Sequence, residues 1–326
     1  MRDVIDDILV LSRQAKPLTE WFADRLGMAV RNGVFATPEK LGAVRDQLVT
    51  DLRNYTSQTG MSTAVIGMSG GVDSSLTAAL LKRAGWTVLG FTLPIAQNPE
   101  ETQGGIEACA ALGIEHQNID LTEEYHVIAG RLSGMDRSAQ STLSMAEKIR
   151  HGNVRARLRM LTLYDQAHRR GGLVASTDNF SELAAGFWTL HGDVGDLAPV
   201  QALLKSWEVP WMARECGVPK SIWTAKPTDG LGISDGDEAQ LGTSYLEWDL
   251  IVMALAVAAT EGVLDMSDPA RSIGMEHDAH AQSALELVLQ RVGGSWYKRE
   301  NPIRLDHPAS DRYGMLEALD RRITGC

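Results

Sequence analysis

Cysteine is scarce in this chain, and the three cysteines, Cys109, Cys216 and Cys326, lie far apart in the sequence. None belongs to a C-x-x-C pair, so the sequence predicts neither a disulfide framework nor a zinc site, and free thiols are expected. Basic residues are outnumbered as well, because 31 lysines and arginines stand against 42 acids, for a net charge of −11. This balance argues against a protein that coats nucleic acid or binds membranes through a basic surface.

Long apolar runs are also missing. The longest covers residues 250–259, which is too short to span a bilayer and predicts a buried helix. The first residues are acidic and lack an apolar core, so they do not resemble a secretory signal. We therefore expect a cytoplasmic protein without nucleic-acid or membrane partners, and its apolar fraction of 44% is ample for a folded core.

The lysine of a Walker A motif is absent, because none follows Gly71 at the required place. Instead, residues 67–75 read G-M-S-G-G-V-D-S-S between a β-like run at 63–66 and a helical stretch at 76–84. This context predicts a phosphate site, since glycines let the backbone approach an anion and a helix N-terminus offers free N–H groups. Asp73 would repel a phosphate unless it also holds Mg²⁺. The alternative is an ordinary Gly-Gly turn that caps a helix.

Helical and strand-like stretches alternate along much of the chain. Residues 1–58 have apolar positions at helical spacing and predict a helical extension with no recognisable chemistry. Strand-like runs follow at 63–66, 87–93, 116–121 and 172–175, with a weaker one at 221–224, and helices such as 106–112 lie between them. The pattern predicts an α/β fold with a parallel sheet, helices on both faces and ligands at the carboxyl ends of the strands.

Three polar segments have no clear periodicity. Residues 130–152 predict either a mobile loop or a helix laid across a site, and we expect this segment to close over the site. Residues 226–241 and 262–280 predict loops, because proline and glycine interrupt them.

Charged residues further along the chain are candidates for a site. Arg155, Arg157 and Arg159 alternate, so on a helix they cannot all serve one ligand, and a solvated face with ion pairs is the simpler interpretation. Thr177 follows the strand at 172–175 and could reach a nucleotide. Glu182 lies one turn into the next helix, where it could share a cation with Asp73 or, equally well, complete a capping box.

The loop at 69–74 resembles the S-G-G-x-D-S signature of the N-type ATP pyrophosphatases, the PP-loop family. Other motifs follow in the order typical of one group in that family, the ammonia-dependent NAD synthetases. They are G-N-V-R-A-R-L-R-M (152–160), T-D-N-F-S-E (177–182), G-D-V-G-D-L-A-P (192–199), L-L-K (203–205), K-P-T (226–228), D-E-A-Q-L-G-T-S-Y-L-E-W-D (237–249) and Y-K-R (297–299). Each motif is weak alone, whereas their shared order is specific.

The resemblance implies a fold and a reaction. The fold would be adenine nucleotide alpha hydrolase-like, a Rossmann-like three-layer sandwich over residues 59–326 that follows the extension at 1–58. The enzyme would adenylate the nicotinate carboxylate of deamido-NAD with ATP, release pyrophosphate, and let ammonia displace AMP to give NAD⁺. Ammonia is expected as the donor because no glutamine amidotransferase domain is visible, and a homodimer is expected from the family.

The resemblance also assigns roles to residues at matching positions. Asp73 and Glu182 would be Mg²⁺ ligands, and Asp73, Lys205 and Asp196 the catalytic residues. The expected ATP contacts are Gly67, Met68, Ser69, Gly70, Gly71, Val72, Asp73, Ser74, Ser75, Thr177, Lys205 and Thr228. The expected deamido-NAD contacts are Arg157, Asp196, Tyr297 and Lys298.

Three departures from the family pattern concern the dinucleotide side. Leu190 and His191 stand where the family has a lysine and an aromatic residue, and Tyr297-Lys298 replaces His-Lys. The segment after Pro94 also differs. Two alternatives therefore stay open: a PP-loop ligase that adenylates a different carboxylate, and a non-catalytic nucleotide-binding scaffold.

Overall fold

A parallel β-sheet lies at the centre of the computed structural model, which describes residues 1–14, 16–97, 99–133, 144–225, 236–304 and 310–324. Its strands are β1 (Thr63–Gly67), β2 (Thr87–Thr92), β3 (Glu115–Asn118) and β4 (Leu173–Val174). They run in the order β3-β2-β1-β4, and every neighbouring pair is parallel. The predicted parallel sheet is confirmed, with β3 and β4 shorter than the sequence indicated.

Helices account for the rest of the regular structure. The first group is α1 (Arg2–Leu11), α2 (Glu20–Arg31), α3 (Pro38–Thr59), α4 (Val72–Arg83), α5 (Pro99–Leu112), α6 (Thr122–Ser133), α7 (Met145–Arg170) and α8 (Phe180–Ala185). The second group is α9 (Glu208–Glu215), α10 (Lys220–Trp223), α11 (Asp237–Leu241), α12 (Tyr245–Thr260), α13 (Pro269–Ser272), α14 (Ala279–Arg299) and α15 (Asp311–Thr324). In the part of the chain that the structure describes, no helix is both long and apolar enough to cross a membrane.

Alternate side chains of β1 enter two hydrophobic clusters, one on each face of the sheet. Ala64 and Ile66 pack with residues of α4 and α9, whereas Val65 packs with residues of α6 and α7. Because neighbouring residues of a strand point to opposite faces, this distribution places helices on both sides of the sheet. The three-layer arrangement expected from the sequence is confirmed.

The N-terminal helices share the larger cluster with the rest of the chain. Phe22 of α2 and Leu41 of α3 are buried in it, and Trp207 Nε1 donates to the carbonyl of Ala36 at 2.8 Å. The indole of Trp86 likewise donates to the Leu52 carbonyl at 3.1 Å. The boundary after residue 58, which stays a prediction, would therefore separate segments that pack against each other.

Several local predictions were wrong. The weak strand at 221–224 is the helix α10, because Pro219 begins a turn there and Ile222 packs into the core. The predicted loops at 226–241 and 262–280 contain α11 and α13, while residues 226–235 lie outside the described residues. The buried helix at 250–259 is confirmed as part of α12.

The segment at 130–152 is only partly described. Its last residues are helical, because the Ser144 side chain accepts from the Glu147 N–H and so caps α7. The expected closure over the site falls mainly on residues 134–143, which lie outside the described residues, and it stays a prediction.

Candidate active site

The predicted phosphate loop joins β1 to α4 at the carboxyl edge of the sheet. Gly70 has a φ of 86°, which favours glycine, and Gly71 is the N-cap residue of α4. The hydroxyls of Ser74 and Ser75 donate to the Gly71 carbonyl at 3.1 and 2.9 Å. No described side chain caps α4, so its first N–H groups face the site as donors for an anion.

Helix α5 supports this loop through two glycines that the sequence analysis missed. A β-carbon on Gly105 would lie closer than 3.0 Å to the Met68 carbonyl oxygen and 2.8 Å from Thr92 Cγ2. A β-carbon on Gly104 would lie 3.3 Å from the Gly70 Cα. The glycine pair inside a helix was the available signal, since glycine there is unfavourable without a packing reason.

Asp73, Glu182 and Lys205, three of the predicted site residues, lie close together beside the loop. Lys205 is only 6% exposed, and its Nζ forms an ion pair with Asp73 Oδ2 and lies 3.5 Å from Glu182 Oε1. Asp73 and Glu182 both stand in the first turn of a helix, α4 and α8 respectively. A buried lysine therefore links two carboxylates at the edge of the sheet where a ligand is expected.

Asn179 joins this cluster, and no role was assigned to it from the sequence. Its Nδ2 donates to Asp73 Oδ1 at 2.9 Å, while its Oδ1 accepts from the Glu182 N–H at 3.0 Å. The capping box expected near Glu182 is present, although its N-cap residue is Asn179 rather than a serine or threonine. Capping and cation binding are compatible, because Glu182 Oε2 faces the Asn179 N–H and Oε1 faces Lys205.

The cluster fits a magnesium ion in its donor chemistry. Mg²⁺ is usually held by one or two carboxylates together with substrate phosphates and water. Asp73 and Glu182 supply two carboxylates that both approach the Lys205 ammonium, so one cation already occupies the space between them in this structure. A metal ion there would share the two carboxylates with Lys205.

Helix α12 lies beside the cluster. Two of its residues, Tyr245 and Asp249, had no role assigned to them from the sequence. The Tyr245 ring lies 5.8 Å from Lys205 Nζ. Asp249 is buried and accepts from the Ser206 N–H at 3.1 Å. Burial raises the pKa of Asp249 to about 6, against the lowering effects of its hydrogen bonds and of Lys205. These residues fix the backbone beside Lys205 and offset part of its charge.

A second group of predicted residues meets the loop at 186–190. Arg157 Nε donates to the Leu190 carbonyl at 3.1 Å. Lys298 Nζ donates to the carbonyls of Gly186 and Trp188 at 2.7 and 2.5 Å, and burial lowers the pKa of Lys298. The structure thus brings residues of α7 and α14 to one loop, where the carbonyl of Leu190 accepts a hydrogen bond from α7.

Asp196 lies elsewhere, beside β4. It accepts from the Val174 N–H at 2.9 Å and from the Tyr164 hydroxyl at 2.8 Å. Both of its carboxylate oxygens therefore have partners within the chain, and these are different from the partners of Asp73 and Lys205. A ligand contact at Asp196 would have to share these oxygens.

The remaining predicted ligand contacts are those of Thr177, Tyr297 and Thr228. Thr177 is half-buried just after β4, and Tyr297 on α14 is 42% exposed. Thr228 lies outside the described residues, so its expected contact with ATP stays a prediction.

The alternating arginines of α7 contact different partners in the described part of the chain. Arg155 lies over the Tyr125 ring, and Arg159 donates to the Leu93 carbonyl and to Gln97 Oε1. Arg159 thereby holds the segment after Pro94, one of the departures from the family pattern. Arg157 is exposed, whereas Arg155 and Arg159 are half-buried, because α7 packs one of its faces against the sheet.

Comparisons with known proteins identify the family of the chain. The protein-family model described as NAD synthase matches residues 44–302. An NH(3)-dependent NAD(+) synthetase of Methanosarcina acetivorans is 32% identical over 263 residues, which cover 79% of this chain and 95% of the relative. One of Alkaliphilus oremlandii is 38% identical over 202 residues, or 61% of this chain and 80% of the relative.

Solved structures are similar as well. The NMN synthetase of Francisella tularensis superposes with a TM-score of 0.66 at 26% identity and covers 82% of this chain and 99% of its own. The NH3-dependent NAD synthetase of Campylobacter jejuni superposes with a TM-score of 0.60 at 22% identity, which supports the fold, and covers 82% of this chain and 99% of its own. With the family match over most of its length, this chain belongs to the NAD synthase family.

Proposed function

We propose that this protein is an ammonia-dependent NAD⁺ synthetase, an ATP-dependent amide-forming ligase. A carboxylate oxygen of the nicotinate group of deamido-NAD attacks the α-phosphorus of ATP, and the bond to the bridging oxygen breaks to release pyrophosphate. Ammonia then attacks the acyl carbon, AMP leaves, and loss of a proton gives the amide of NAD⁺. The observation that carries the proposal is the buried Asp73–Lys205–Glu182 cluster beside the phosphate loop in a chain of this family.

The residues of the cluster meet the main electrostatic demand of this reaction. Two anions must approach each other, and negative charge then moves onto the leaving pyrophosphate. The N–H groups at the start of α4 and the Lys205 ammonium bind phosphate oxygens in a buried place, where charge stabilisation is strongest. Mg²⁺ held by Asp73 and Glu182 would supply further positive charge to the phosphates. Asn179 keeps the Asp73 carboxylate oriented.

The loop at 186–190 is the proposed floor of the dinucleotide site. Arg157 and Lys298 donate hydrogen bonds to its carbonyls, and Tyr297 and Asp196 complete the expected contact set. Arg157 binds the backbone carbonyl of Leu190, so this hydrogen bond does not depend on the side chain by which this chain departs from the family. Positioning of the two substrates would provide a large part of the rate acceleration.

We also propose a homodimer that acts in the cytoplasm. Leu161 and Tyr164 lie three residues apart on α7, so they share a face of the helix, and they are 68% and 41% exposed. We call them the Leu161/Tyr164 pair and propose that it contacts a second copy of the chain. Because the Tyr164 hydroxyl donates to Asp196, the pair adjoins the proposed dinucleotide site. Cys109 and Cys216 are buried free thiols, as a reducing compartment would allow.

The decisive experiment measures pyrophosphate release with ATP, Mg²⁺, deamido-NAD and ammonium, and identifies the product. We expect NAD⁺ to form only when all four are present. Asp73→Asn, which keeps the side-chain shape, should lower kcat/KM by about 100-fold or more. The matched control is Asp24→Asn, a change of an exposed acid on α2, which should leave kcat/KM unchanged.

A second arm tests the acyl substrate by replacing deamido-NAD with nicotinate mononucleotide, the acid that corresponds to NMN. Faster turnover of the mononucleotide would favour a ligase for a different carboxylate. ATP binding without turnover of either acid would favour the non-catalytic scaffold. Full activity of Asp73→Asn would contradict the proposed role of the cluster.

A further inference from the structure

Arg13 is a charged residue of the N-terminal segment to which the sequence assigned no chemistry. It follows α1 by two residues and precedes the region that matches the family, which begins at residue 44. Its backbone φ is 56°, in the left-handed region. Residues at this place after a helix are usually glycine or asparagine, because a β-carbon is unfavourable there. An arginine in this conformation indicates that its side chain is held by long-range contacts.

The side chain of Arg13 contacts a residue that is distant in the sequence. Arg13 Nη1 donates a hydrogen bond to the Ala225 carbonyl, just after α10. In the sequence, Ala225 directly precedes the K-P-T motif at 226–228. The guanidinium carries five N–H donors in a planar fork, and the carbonyl of Ala225 engages one nitrogen.

The charge of Arg13 acts on the same cluster as Lys205. Burial lowers the pKa of Arg13, while the charges of Glu238 and Asp73 and the Tyr245 side chain raise it. An arginine stays protonated even with a lowered pKa, so a permanent cation interacts with the Asp73 carboxylate. Glu238 and Tyr245 are themselves joined, because the Tyr245 N–H donates to Glu238 Oε1 at 3.0 Å.

This place in the molecule needs positive charge if a polyphosphate is to bind. Asp73, Glu182 and Asp249 interact with Lys205, Glu238 interacts with Arg13, and the whole chain has a net charge of −11. A nucleoside triphosphate brings further negative charge to this acidic surrounding. Guanidinium groups pair with phosphate oxygens through two parallel N–H bonds, which lysine cannot reproduce.

We propose that Arg13 is a phosphate-binding residue of the ATP site, supplied by the N-terminal segment that lies outside the family match. It binds the polyphosphate of the nucleoside triphosphate and acts together with Lys205. The proposal rests on the proposed function, since it assumes that ATP binds beside Asp73.

The test is the dissociation constant of the Mg²⁺ complex of AMPCPP, an ATP analogue that cannot be cleaved between the α and β phosphates, measured by titration calorimetry on the full chain. Arg13→Gln keeps an N–H donor for the Ala225 carbonyl and removes the charge. We expect Arg13→Gln to raise the dissociation constant about tenfold, and Arg13→Lys to raise it less. The control Lys16→Ala removes an exposed charge from the same segment and should leave it unchanged.

A parallel titration with adenosine separates phosphate binding from pocket shape. Unchanged adenosine binding in Arg13→Gln, together with weaker AMPCPP binding, supports the proposal. An equal loss for adenosine and AMPCPP, or wild-type AMPCPP binding by Arg13→Gln, overturns it. Circular dichroism establishes whether each variant is folded. If Arg13→Gln is not folded, the binding of AMPCPP and adenosine by Arg13→Lys provides the test instead.

This test can fail separately from the proposed function, because AMPCPP binding does not require the acyl substrate. A wild-type protein that binds AMPCPP but makes no NAD⁺ would refute the synthetase reaction and leave the role of Arg13 intact. A wild-type protein that makes NAD⁺ while Arg13→Gln binds AMPCPP normally would refute the role of Arg13 alone.

Discussion

Replacement of Gly105 by alanine should displace the phosphate loop from the side on which α5 packs against it. Gly105 lies in α5, and an added β-carbon would come closer than 3.0 Å to the Met68 carbonyl oxygen and 2.8 Å from Thr92 Cγ2. The first of these contacts is with backbone, which cannot rotate away as a flexible side chain can. Either α5 must move away from the sheet or the loop that begins at Met68 must move.

Two opposing contributions determine how Gly105→Ala changes the free energy of unfolding. Alanine is favoured over glycine inside a helix by about 1 kcal/mol. Overpacking of a tight contact costs about 1–3 kcal/mol, and a backbone neighbour places this site near the upper end. We therefore expect Gly105→Ala to lower the free energy of unfolding by roughly 2 kcal/mol.

Gly42→Ala is the matched control. Gly42 lies in α3, and no heavy atom comes within 4 Å of a β-carbon added there. Only the preference for alanine over glycine inside a helix applies here, so this variant should be more stable than the wild type by up to about 1 kcal/mol. Equilibrium unfolding in urea compares both variants with the wild type under identical conditions.

The same variants separate stability from function. Displacement of the loop should lower kcat/KM for ATP by about 10- to 100-fold in Gly105→Ala, since small misplacements of reacting groups are costly. Gly42→Ala should keep the wild-type value. If Gly105→Ala were as stable as Gly42→Ala and kept its kcat/KM for ATP, the inference that α5 supports the loop would be refuted.

Four further predictions concern the site, the pH dependence of stability and the assembly. Asn179→Asp keeps the cap of α8 but replaces the donor to Asp73 with a negative charge, so Mg²⁺-ATP affinity measured by calorimetry should fall at least about tenfold, and unchanged affinity would contradict the orienting role. Burial raises the pKa of Glu208 to about 7, so its protonated form stabilises the folded state, and the free energy of unfolding should fall by about 3 kcal/mol as pH rises from about 4.5 to above 7. In urea unfolding at several pH values, the free energy of unfolding of Glu208→Gln should not show this fall with pH. An identical fall would mean that another group titrates. Leu190→Lys restores the family's residue while the carbonyl that accepts from α7 stays in place, so kcat/KM for deamido-NAD should change less than about threefold, and a large gain would indicate a different natural acid. Leu161→Arg places a charge in the Leu161/Tyr164 pair, where Leu161 is 68% exposed, so light scattering should show a monomer, and an unaltered dimer would locate the interface elsewhere.

The phosphate loop and the sheet could be predicted from the sequence because their signals are local. Residues 67–75 carry the glycines, hydroxyls and helix start of one turn, and the parallel order follows from strands that alternate with helices. Short segments were harder to assign. Residues 220–223 contain an isoleucine and a tryptophan, which favour strands, yet Pro219 and tertiary packing make them helical.

The sequence by itself determined which groups are candidates for phosphate and cation binding, since a glycine-rich loop, Asp73, Glu182 and Lys205 are of the types suited to that chemistry. Only the tertiary structure decided that these groups form one cluster, oriented by Asn179 and backed by α12. It also decided that two glycines of α5 pack against the loop and that Arg13 donates to the Ala225 carbonyl. Periodicity and motifs describe neighbours within a few residues, whereas contacts between residues more than 100 positions apart, such as Asp73 and Asn179, arise from how helices pack on the sheet.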